Sequence, residues 1–355
     1  MLHANLAIKT YMLIEAVLQF VNDTLMKTQS VREVGTLKYF RERIMRNNVY
    51  SDIKKDVDAF QDFLHSVGRA YLVAAFTEHF GMDSTNQPTK HIPPEDMTRT
   101  SQEQYFQETF GSFVDRYVLH DNLEEIQSDP EDKVMNYGLS VNEFVVLVMQ
   151  VIDMVHEGDS DRLVVIVKYL LLMFKAKSNY SKYAIETMRF ITQVKCTLTA
   201  QMAARVLNDR FVNLSGKSGH NMETDIAMEH TIKATKVLIN GMGANKTQKA
   251  VQRATSSVGG VQCICQSYDK NSDVTPNSTA HSRKTAKVAE LCMVQDLNNL
   301  QPFKAVPGRC HATLSNIKSS PTLSIDWPAF YQWLNKHKKR METWNAEEED
   351  DSDDD

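Results

Sequence analysis

The residues best suited to chemistry sit in one stretch, "FVNLSGKSGHNMETDIAMEH", Phe211 to His230, where a glycine-rich loop runs into a helix start crowded with carboxylates. "SGKS" at Ser215 to Ser218 invites comparison with a phosphate cradle. That motif needs a glycine five residues before the Gly-Lys pair and a buried strand ahead of it. Position 211 is phenylalanine, and "TAQMAARVLNDRF" carries helical spacing rather than a strand pattern. The loop therefore reads as a helix–loop–helix connection in which Gly216 and Gly219 permit positive φ.

The helix after it is expected from about Met222 to Ile239. At 100° per residue it has one apolar patch of Met222, Ile226 and Val237 and a second of Met228, Ile232 and Ile239. Asp225 and Glu229 fall in the gap between the patches, four residues apart and so stacked on one face. Two stacked carboxylates could supply part of a Mg²⁺ or Mn²⁺ site, because hard cations take oxygen ligands. The structural alternative is a salt-bridged seam. Lys233 follows Glu229 at the favourable i,i+4 spacing, Lys236 shares the seam, and Asp225 lies in the first turn, where the helix dipole favours an acid.

Asp159 and Asp161 in "EGDSDR" form a second acidic pair. One reading is a turn whose aspartate caps the next helix; the other has Asp159 or Asp161 meeting Glu229 in space. The candidate catalytic set is therefore Asp161, Asp225 and Glu229, with Asp159 joining them as a metal ligand. No cofactor is expected, and Mg²⁺ or Mn²⁺ enters only under the reading of these acids as a metal site. Cys263, Cys265, Cys292 and Cys310–His311 lack the paired C-x₂₋₄-C knuckles of structural zinc.

The elements that must position these residues read as helices. Apolar residues recur on one face from Leu6 through Phe20, "VREVGTLKYFRERIMR" looks helical, and a longer helical stretch spans Lys54 to Phe80. Leu139 to Val155 and Leu163 to Phe174 are apolar nearly all round, as two central core helices would be. The expected fold is mainly α. A helical main domain covers 1–262, a mostly irregular linker 263–322 and a C-terminal helix 323–344. A disordered acidic tail, 345–355, follows.

Formal net charge is −5, but "AEEEDDSDDD" at the end carries eight acids and no base, which leaves the body near neutral. A dedicated nucleic-acid binder would show a strong basic excess. Ser352, set among acids, resembles an acceptor for acidophilic kinases. Five cysteines make an odd, sparse set, which points to a reducing compartment inside the cell, nucleus or cytoplasm. The N-terminus lacks the pattern of a signal peptide, and the run Leu163 to Phe174 is too short to span a bilayer, which needs about 20 residues.

Several phrases together carry a resemblance: "VGTLKYFRERI", "GDSDRLVVIVKYLLLMFKA", "YSKYAIETM", "RFVNLSGKSGHNMETDIAMEH", "GANKT" and "PGRCH". The chain resembles the eukaryotic domain-of-unknown-function family 6589 over nearly its whole length to about Arg340. The resemblance implies a mobile-element-like origin and a chain shortened at its N-terminus, with Met1 falling within the family's pattern. It implies an uncharacterised, non-catalytic, truncated or domesticated copy acting by interaction with a protein partner. The alternative is a divalent-metal-dependent nuclease like a ribonuclease-H-like transposase, with Glu229 as its third acid and nucleic acid as its partner. Such chemistry needs two metal ions held by several carboxylates about 4 Å apart.

Overall fold

Two apolar segments organise the centre of the molecule. The computed structural model describes residues 10–44, 57–82, 97–119, 130–244, 246–271 and 283–350. Its α-helices are α1 (Thr10–Val21), α2 (Leu37–Ile44), α3 (Val57–His79), α4 (Arg99–Val114), α5 (Lys133–Glu157) and α6 (Ser160–Ala176). They continue as α7 (Ser181–Thr192), α8 (Ala200–Asn208), α9 (Thr224–Gly241), α10 (Gln248–Asn271), α11 (Arg283–Leu300) and α12 (Trp327–Asp350). A two-residue antiparallel ladder pairs β1 (Phe211–Val212) with β2 (Met222–Glu223), with Phe211 opposite Glu223. The fold is mainly α, as expected.

The expected central helices are α5 and α6. Asp132 caps α5, accepting from the amides of Val134 and Met135 at 3.0 Å. The helix ends at Gly158, whose φ of 70° is left-handed and whose amide returns to the last turn. One residue later Asp159 caps α6, so the chain passes from one helix to the next within two residues. Among the described residues α5 is the one helix long and apolar enough to cross a membrane, and 72% of its most apolar window is buried by the rest of the chain. It is the core helix of this fold.

Helix α3 crosses α5 at Gly68, where a Cβ would sit 1.9 Å from Val145 Cγ1. Only glycine allows that approach. Aromatic rings fill the remaining space: Phe20 packs on Phe144, Phe174 and Tyr180, and Phe303 meets Tyr71 and Tyr117 edge-on. Buried tyrosine hydroxyls are satisfied. Tyr137 accepts from the Leu37 amide at 2.9 Å and donates to the Leu25 carbonyl, and Tyr71 donates to the Gly35 carbonyl.

Residues 263–322, expected as mostly irregular, are not a linker where they are described. Helix α10 continues to Asn271, and α11 packs along α3 with Met293 and Leu297 in the core. Ion pairs hold α11 from two helices: Arg69 of α3 with Glu290 at 2.8 Å, and Arg43 of α2 with Asp296. The segment after α11 is tied down by Arg309, which reaches Asp132 and the carbonyls of Gln301, Pro302 and Lys304. "PGRCH" is therefore a structural clasp. The polar composition misled because α11 needs only one apolar stripe to dock.

The C-terminal helix is longer than 323–344 and runs through Asp350, into the stretch expected as a disordered tail. Residues 351–355 of that tail lie outside the described residues, as do residues 272–282 of the expected linker.

Candidate functional site

The opening loop is organised by its own side chains. Asn213 Oδ1 accepts from the Gly216 amide at 2.7 Å and from Ser215 Oγ, and Asn213 Nδ2 donates to the Lys217 carbonyl. Gly216 and Gly219 both take positive φ, 67° and 71°. The Gly216 and Lys217 amides that a phosphate would use are already donating within the loop. At its base the ladder β1–β2 closes the loop, and Asn221 donates from backbone and side chain to the His156 carbonyl, pinning it beside Gly158. The helix expected from Met222 therefore starts two residues later, at Thr224, which bonds back to Arg210 and Asp209.

The four candidate acids occupy different settings. Asp159 is the α6 cap, accepting from the Arg162 amide at 2.9 Å and pairing with the Arg162 side chain at 3.2 Å. Asp161 is exposed in the first turn of α6. Asp225 is half-buried and accepts from the Tyr11 amide at the start of α1, at 3.1 and 3.4 Å. Its charge also bears on Arg210, whose guanidinium stacks on Phe190 and whose pKa burial holds below its ordinary value. Glu229 is exposed. Among the described residues no three His, Cys, Asp or Glu side chains lie where they could hold one metal ion, so the structure does not gather Asp159, Asp161, Asp225 and Glu229 into a site.

The reason lies in α9. Two apolar patches would bury a broad face of α9 and hold Asp225 and Glu229 between them if both were covered. In the fold only Ala227 of α9 is buried, while Met228, Ile232 and Val237 are 55%, 46% and 66% exposed. Helix α9 touches α1 and the β1–β2 ladder and packs most extensively on α10. Glu229 faces water and makes no ion pair with Lys233 among the described residues.

Charge is the stronger feature of this hairpin. From His230 to Tyr268 the sequence contains no Asp or Glu, but it holds Lys233, Lys236, Lys246, Lys249 and Arg253. All five cations are exposed. Between the end of α9 and the start of α10 lies an open groove of about 510 Å³, floored by Leu238, Met242 and Ala254 and rimmed by Lys249, Arg253 and Ser257. Of these cations only Lys233 and Lys236 stood out in the sequence, as partners for a seam with Asp225 and Glu229. The acid-free run was legible there as a signal, and its exposure was not.

A second chemical feature is buried. Glu143, on α5, accepts from Ser320 Oγ at 3.0 Å and from the Tyr169 hydroxyl of α6. Next to it Ser140 donates to the Lys318 and Ser319 carbonyls. The cluster fastens the segment leading into α12 onto the core. Burial pushes the Glu143 carboxyl up from 4.5 to about 7, partly offset by those two hydrogen bonds.

The profile of a family of unknown function (DUF6589) matches residues 12–281, most of the chain and all of the opening stretch. No curated protein matches, and no solved structure matches. The match runs through the central helix pair, the Asn213 loop and the basic hairpin, and the chain belongs to this family of unknown function, DUF6589.

Proposed function

We propose that this is a non-catalytic helical interaction protein whose contact surface is the α9–α10 hairpin and whose partner is another protein. The observation that carries the reading is the hairpin itself: two helices left largely uncovered, with five cations, no acid from His230 to Tyr268, and Met228, Ile232, Val237 and Ile264 in the open. An exposed apolar patch rimmed by polar residues marks a contact surface. Single-stranded nucleic acid is the weaker partner, because the run from His230 to Ser267 offers no Phe, Tyr or Trp on which a base could stack. Descent from a mobile element belongs to this reading, as a copy that keeps the helical body and acts by contact. Four exposed free cysteines among the described residues accord with an intracellular setting.

The alternative is a nuclease using Asp161, Asp225 and Glu229 with Mg²⁺ or Mn²⁺. Two measurements separate the readings. Proximity labelling in cells is run with the wild type and with a Lys233→Glu, Lys236→Glu, Lys249→Glu, Arg253→Glu variant whose circular dichroism matches it. The expected result is loss of a defined set of labelled proteins in the variant; identical sets would sink the hairpin as the contact surface. Calorimetric titration with Mn²⁺ is expected to show no binding that Glu229→Ala removes, and binding lost in that variant would turn the reading to the nuclease.

A further inference from the structure

The basic hairpin has a chemical counterpart in the same chain. Residues 346–355, "AEEEDDSDDD", hold eight acids and no base, whereas the run from His230 to Tyr268 holds five Lys and Arg and no acid. None of the five hairpin cations is ion-paired among the described residues. Lys249 and Arg253 lie one helical turn apart on α10 and so present two positive charges along one edge of the groove. The acidic stretch begins within α12, which is helical through Asp350 and is seated through Phe330 in the core and through Trp333 against Lys175 of α6. The hairpin instead rests on α1 through the Asp225–Tyr11 bond. A continuous helix carries Asp350 about 30 Å along its axis from Phe330, which favours a contact between copies over one within a chain.

We propose that the acidic stretch 346–355 of one copy docks on the α9–α10 hairpin of a second copy, an inference that rests on the reading of this hairpin as the contact surface. Each exposed ion pair contributes little, so the contact depends on their number and weakens with salt. Two copies that exchange their acidic stretches close a dimer, whereas one-way contacts would run on into chains. Occupation by the stretch also competes with any other acidic partner of the hairpin.

The test is sedimentation velocity of the full chain over a range of concentrations, at about 0.1 M and about 1 M salt, where the Debye length falls from ~10 Å to ~3 Å. The expected result is concentration-dependent association at the lower salt that is gone at the higher. Association is also lost in a full-length variant with Glu347, Glu348, Glu349, Asp350, Asp351, Asp353, Asp354 and Asp355 changed to their amides, and in Lys249→Glu/Arg253→Glu. A fluorescent peptide of residues 346–355 should bind the amide variant, and roughly tenfold weaker binding is expected at the higher salt. A full chain that stays monomeric at the lower salt overturns the proposal, whether or not the peptide binds. So does a peptide that binds Lys249→Glu/Arg253→Glu as well as the parent. If either occurs while the hairpin variant still loses its labelled proteins in cells, the hairpin remains the contact surface and only its occupant is wrong.

Discussion

Glu143→Gln should make the protein more stable in mild alkali and leave it nearly unchanged in acid. The folded chain holds this carboxyl at about 7, against an ordinary value of 4.5. Between those values the unfolded chain has released its proton while the folded chain keeps it. Stability therefore falls as pH rises through that window and the loss is complete above it, amounting to about 3 kcal/mol at ~1.4 kcal/mol per tenfold. The cause is burial: an ionised carboxylate among α5, α6 and the segment before α12 loses its hydration, and two hydroxyl donors, Tyr169 and Ser320, replace only part of it. A glutamine cannot ionise, yet its carbonyl can accept from the same two hydroxyls. Misplacing its amide costs about 1 kcal/mol at every pH. The assay is urea unfolding followed by far-UV circular dichroism from pH 5 to pH 8 on both proteins. The variant is expected to be slightly less stable at the acid end and about 2 kcal/mol more stable at the alkaline end. A difference that stays constant across the range would refute the reasoning, because it would mean that Glu143 does not titrate between its unfolded value and neutrality.

Three further perturbations test the architecture. Gly68→Ala puts a methyl 1.9 Å from Val145 Cγ1 and 2.7 Å from Val145 Cβ, so no rotamer change relieves it. The cost should be about 3 kcal/mol or more in urea unfolding, and Val145→Gly in the same chain should recover part of it. A double-mutant cycle showing no coupling would refute the close crossing of α3 and α5. Asp132→Ala removes the cap of α5 and the carboxylate that bonds Arg309 at 2.8 Å, leaving the guanidinium only its backbone carbonyls; a loss of about 3 kcal/mol is expected, and a loss under 1 kcal/mol would show the clasp to be dispensable. A chain ending at residue 281, where the family match ends, lacks Met293, Leu297, Phe303 and Leu314 of the core. It should show no cooperative unfolding by calorimetry, and a sharp transition near that of the full chain would contradict the account of α11 as part of the core.

Local features of this protein are legible in the sequence because neighbours along the chain create them. The apolar segments of α5 and α6 are hydrophobic round most of their circumference, and such helices can only be central. Asp159 caps α6 because the Arg162 amide lies three residues on, and Gly216 and Gly219 take positive φ because the loop turns there. Tertiary structure decided the rest. Periodicity says which residues share a helix face but not whether anything covers that face. The patch of Met228 and Ile232 reads like core and stands in water, whereas the polar-looking α11 docks by a single stripe. Asp225 bonds an amide 214 residues away, and Ser320 reaches Glu143 across 177. No spacing rule in the chain joins such pairs, because only the packing of α1 and of the segment before α12 brings their atoms within hydrogen-bond reach.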